Sequence, residues 1–135
     1  HINPAKTATL TQLMLGGLPT GRVGSPLYCR LRYFDPDNQR AGVPEDVAAL
    51  VEKLSDDAAT LTLVNVNQIE SRTVVVQGGG YAEHEITSAS IADQPDVEIG
   101  SSAFTVRLAP GCGAQIELKT KRYENRPTLT FPWDR

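Results

Sequence analysis

Histidine and cysteine are scarce in this sequence, with two of each among 135 residues. His1 stands at the start and His84 in the middle, so a three-histidine metal site is excluded from this chain alone and an imidazole-based triad nearly so. Cys29 sits in an apolar strand candidate and Cys112 in the loop GCGA. A disulfide needs Cα atoms within about 7 Å, which spacing does not establish, and the reading favours one buried thiol and one loop thiol. No window approaches the roughly 18 consecutive apolar residues of a membrane-spanning helix, so no membrane partner is expected. The formal charge of −3 offers no broad attraction to nucleic acid. The local basic positions Arg30, Arg32, Lys119, Lys121 and Arg122 alternate along candidate strands, as solvated faces do. The opening HINPAKTATL lacks a basic stretch followed by an apolar core, so no signal peptide is expected there. A start without methionine predicts a fragment or processed product, folded as one domain over residues 1–135.

What is abundant is β-branched alternation. The stretch Ala59–Gly80, ATLTLVNVNQIESRTVVVQGGG, holds two such runs, Thr60–Val66 and Arg72–Gln77, around the polar connection Asn67–Ser71. It predicts an antiparallel hairpin, ended by Gly78–Gly80, where missing side chains disfavour further strand. Before it, Thr7–Leu15 alternates with a slip at Gln12–Leu13, and GGLPTGRVG over Gly16–Gly24 reads as a loop. Pro26–Phe34 predicts a strand with Leu27, Cys29, Leu31 and Tyr33 on one side and Tyr28, Arg30, Arg32 and Phe34 on the other. Asp35-Pro36-Asp37-Asn38 predicts a turn. Pro44, Glu45 and Asp46 followed by Val47, Leu50, Val51 and Leu54 predict one short helix ending near Ser55–Asp57. Further strands are expected at Tyr81–Ser90, Ala103–Leu108, Ala114–Lys121 and Thr128–Phe131. About eight strands and one helix predict an antiparallel β-sandwich, because a parallel α/β fold needs several crossover helices.

Chemistry is sparser. Glu83, His84 and Glu85 form a grouping able to ligate metal or perform acid–base work. On a strand, however, His84 faces away from both glutamates while those two share a side. Paired glycosidase carboxylates come from elements flanking a cleft, and two acids on one strand serve solubility instead. Gly78-Gly79-Gly80 is no phosphate loop, since neither a helix start nor GK[ST] follows it. Asp35, Asp37 and Asn38 lack the later glycine and glutamate of a calcium loop. No catalytic, cofactor-binding or metal-ligating residue and no cofactor is therefore assigned. Tyr28 and Phe34 share a strand side and, with Trp133, are the candidate ligand-binding residues, because flat aromatic faces match sugar rings. The competing assignment puts them in the core or an interface, with Trp133 as a latch packing back on the body.

The segments LTLVNVNQIESRTVVVQGGGYAEHEI and FTVRLAPGCGAQIELKTKRY resemble the C-terminal β-sandwich domains that follow catalytic domains in bacterial glycoside hydrolases and related polysaccharide-active proteins. The resemblance covers Ala59 to Tyr123, about half the chain. It implies a non-catalytic accessory module in a multidomain protein, packed on a neighbouring catalytic domain, with no catalytic residue to carry over and a secreted or periplasmic setting. Two alternatives stand beside it: a carbohydrate-binding module using exposed aromatics, and a small hydrolase or lyase centred on Glu83, His84 and Glu85.

Overall fold

The computed structural model describes residues 30–92 and 94–135. Among them nine strands run β1 (Leu31–Asp35), β2 (Arg40–Ala41), β3 (Val47–Leu54), β4 (Ala58–Asn65), β5 (Arg72–Gly78), β6 (Glu85–Ile91), β7 (Val97–Ser101), β8 (Ala103–Leu108) and β9 (Gly113–Lys121). They form two antiparallel sheets, one ordered β2-β1-β5-β8 and the other β3-β4-β9-β6-β7. The chain is a β-sandwich, as the alternation predicts. The expected strand at Ala103–Leu108 is observed with those bounds, and the one at Ala114–Lys121 begins a residue earlier.

The core follows the period of two that β-branched alternation writes into these strands. In β4 the residues Ala59, Leu61 and Leu63 point inward, and in β9 Ile116 and Leu118 do so. Register sets Leu61 opposite Ile116 and Ala59 opposite Leu118. The facing sheet contributes Leu31 and Tyr33 from β1 and Val74 and Val76 from β5, with Tyr33 opposite Val76. Each fully buried aliphatic side chain contributes about 1.5–3 kcal/mol, so this double layer holds the sandwich together without a metal or crosslink among the described residues.

Three expectations are corrected. The segment predicted as a helix is strand β3, paired along its length with β4. Asp46 enters it at φ 67°, outside the right-handed helical region. Val47 and Ala49 are buried, whereas Leu50 and Leu54 of the supposed apolar stripe are 40% and 46% exposed. The inward residues therefore recur every second position, and a bulge between Val51 and Lys53 resets the register.

The expected hairpin does not form either. β4 and β5 belong to different sheets, and residues 66–71 form an arch between them. Asn67 Oδ1 accepts the backbone N–H groups of Ile69 and Glu70, both at 2.8 Å, so the turn chemistry is present but directs the chain across the core. Asn65, fully buried, anchors the arch. Its Nδ2 donates to the carbonyls of Glu70, Leu108 and Ala109, and its Oδ1 accepts from Asn67 N–H.

The third correction concerns the tail. Thr128–Phe131 is no strand, and a single 3-10 turn follows at Pro132–Asp134. In addition, β6 begins only at Glu85, because Ala82 at φ 59° bends the chain just before it. Strand β7, at Val97–Ser101, has no counterpart among the expectations. The expectations for Thr7–Leu15, Gly16–Gly24, Tyr28 and Cys29, with any Cys29–Cys112 pairing, lie outside the described residues. Cys112 itself is exposed.

Candidate functional site

Strand β5 runs into Gly78–Gly80, and the chain folds back on itself through Tyr81–His84. Glycine is required here by contact. A Cβ on Gly78 would lie 2.5 Å from the His84 carbonyl oxygen, and one on Gly79, at φ 85°, would collide with the Glu83 carboxylate. Glu83 Oε1 accepts the Tyr81 backbone N–H at 3.1 Å, so this carboxylate fixes the bend. His84 is 3% exposed. Its Nδ1 accepts the Tyr123 backbone N–H at 3.0 Å, and the Tyr123 ring meets the imidazole edge to face at 4.8 Å. Burial foremost, then Arg30 and Arg122, hold the imidazole below its ordinary pKa against the opposing pull of Glu83. Glu85 lies on β6 opposite Lys121. Glu83 and His84 thus both close on Gly79, against the expected strand alternation, because β6 begins only at Glu85. Glu83 and His84 are engaged with backbone, and the Asp35 carboxylate of the other acidic motif is held by Asn38 and Arg40. Among the described residues no group of three His, Cys, Asp or Glu side chains is placed to hold a metal ion.

The Tyr81–His84 bend also seats the C-terminal segment. Asn125 N–H donates to the Glu83 carbonyl, Asn125 Nδ2 to the Ala82 carbonyl and Thr128 N–H to the Tyr81 carbonyl. The strap then crosses the outer face of the four-stranded sheet. There Phe131 and Trp133 stack at 5.0 Å with their planes 10° apart. Phe34 stands perpendicular to both, 5.9 and 6.0 Å away, while the Arg32 guanidinium lies 4.9 Å from its ring centre. At the end of the strap Arg135 donates to Gln77 Oε1 at 2.7 Å and to Ser102 Oγ.

Two of the candidate ligand-binding residues, Phe34 and Trp133, therefore come together at the same sheet face although 99 positions separate them in sequence. Phe34 is only 2% exposed beneath the strap, so it supports Trp133 and presents no platform of its own. Between the strap and β8 lies a cleft of about 330 Å³, walled by Trp133, Arg135, Phe104 and Val75 and edged by Ser102 and Thr105. Arg135 and Gln77 gave no signal in the sequence, because nothing local marks a residue whose partner lies 58 positions away. Phe131 was within reach, since the Phe-Pro-Trp spacing puts two rings on either side of a proline.

A second depression, about 340 Å³, crosses the outer face of the other sheet past Lys53, Thr60, Ser88, Ser90, Glu117 and Lys119. It contains no aromatic or imidazole group, and Leu54, Ala58 and Leu118 give its floor an apolar share between the charged and hydroxyl side chains. Comparison of the chain with known protein families, curated proteins and solved structures yields no match.

Proposed function

We propose that this chain is a non-catalytic β-sandwich accessory module that packs beside a carbohydrate-active catalytic domain. The observation that carries the non-catalytic half is the commitment of His84 and Glu83 to backbone groups, since a general base needs reach to a substrate proton. Hydrolysis at Glu83, His84 and Glu85 has no support from that arrangement. The identity of the neighbour rests on the resemblance of Ala59–Tyr123 alone. The packing role is supported by the β4–β5 arch, which presents Val66 at 58% and Ile69 at 87% exposure at one end of the sandwich. The Gly111 N–H, bonded to the Asn67 carbonyl, holds the β8–β9 turn against this arch. Two exposed aliphatic side chains on one braced loop suit a partner surface better than water.

The test is calorimetric and enzymatic. Val66→Asp with Ile69→Asp should leave the melting of the isolated chain unchanged and uncouple its transition from that of the neighbouring domain in the full-length protein. Glu83→Gln should leave glycoside turnover by the full-length protein unchanged. A shared transition that ignores the double substitution, or turnover that disappears with Glu83→Gln, would overturn the reading.

A further inference from the structure

The cleft beside Trp133 combines three kinds of chemistry on one wall. The first is an aromatic face. Phe131 covers one side of the indole, and Phe34 is nearly equidistant from both stacked rings, so it stands beside the pair. The second side of the indole is left to the cleft that Trp133 lines. Flat apolar faces of this kind match the C–H face of a pyranose. The second is a cation with no acidic partner among the described residues. The ion pairs among the described residues engage Arg40, Arg72 and Arg122, whereas Arg135 is held by two neutral acceptors, Gln77 Oε1 and Ser102 Oγ. A guanidinium has five N–H donors, so these contacts orient the group and leave donors for a ligand. The third is the hydroxyl rim of Ser102 and Thr105, which offers both donors and acceptors to ring hydroxyls. The volume of about 330 Å³ lies at the small end of ligand sites.

We propose that this cleft binds a hexuronate residue of an acidic glycan, with the Trp133 indole stacked on the pyranose ring and the Arg135 guanidinium paired with the sugar carboxylate. A neutral sugar would use the indole and the hydroxyls but leave the cation unmatched. A simple anion would pair with Arg135 and leave the indole wet. Only a ring carrying a carboxylate uses all three. The site requires no neighbouring domain, and its failure would leave the accessory reading standing.

Trp133 is the sole tryptophan of the sequence, which makes its emission a direct readout of the cleft. The intact chain is titrated with galacturonate and glucuronate oligomers, and with galactose and glucose oligomers as neutral comparators. The expected result is a saturable change in Trp133 emission with the acidic oligomers that the neutral ones do not match. Arg135→Gln should weaken that binding about tenfold, the loss of one charge-assisted contact, and Arg135→Lys should retain most of it. Thr105→Tyr, at an exposed rim position, should block the cleft while melting as the parent does. No change with any acidic oligomer, equal binding of neutral sugars, or binding that survives Thr105→Tyr would overturn the proposal.

Discussion

The Tyr123 backbone N–H points at Nδ1 of His84, 3.0 Å away and 39 residues upstream. The histidine is thus an acceptor in the folded chain, and protonation at Nδ1 removes that role. Because burial, with help from Arg30 and Arg122, depresses the folded pKa, the unfolded chain takes up the proton at higher pH. Stability is complete above the ordinary imidazole value near 6.5 and is lost as pH falls through the folded value. Thermal melts in neutral and mildly acidic buffer should show this drop. His84→Asn, which keeps an acceptor near the Nδ1 position and does not titrate, should flatten it. An unaltered slope in that variant would remove His84 from the account.

Gly78→Ala should destabilise the chain by about 2 kcal/mol or more, since the new Cβ meets a backbone oxygen that cannot rotate away. Urea denaturation of the variant checks the magnitude.

Asn65→Asp should cost about 3 kcal/mol, because three carbonyls lose their donor and face a buried carboxylate instead. Asn65→Ala leaves the same carbonyls unpaired without the charge and should be the milder of the two. The order of the two denaturation midpoints is the deciding measurement.

Trp133→Ala should cost about 2 kcal/mol, less than a fully buried aromatic because the indole is only half-buried. It should also uncover Phe34, raising binding of an apolar dye. A variant that melts unchanged and binds no dye would mean that the strap holds without its ring stack.

How far the sequence revealed these features depended on whether the signal was local. Alternation in Ala103–Leu108 and Ala114–Lys121 identified β8 and β9, since each residue's face follows from its neighbours. Val47–Leu54 misled because alanines at 48 and 49 suit either period, and the apolar residues at 47, 50, 51 and 54 happen to fit a helical stripe. The bulge at Val51–Lys53 hid the true register. Asn67–Ser71 reads as a turn in both a hairpin and an arch, and only the partners of each strand, up to 61 residues away for β4, distinguish them. For the site, Phe34 and Trp133 were visible as aromatics. Their ring contact, and the roles of Arg135 and Gln77, depend on the path of the strap and leave no local trace.

Strand β9 lies in the middle of its sheet although it is the last in sequence of the strands among the described residues. During synthesis β3 with β4, and β6 with β7, emerge as two separate hairpins, each with a bare edge where β9 will later insert. Closure of this half of the molecule therefore waits until Lys121 has left the ribosome. A nascent chain stopped before Gly113 carries two sticky edges and no means of joining them.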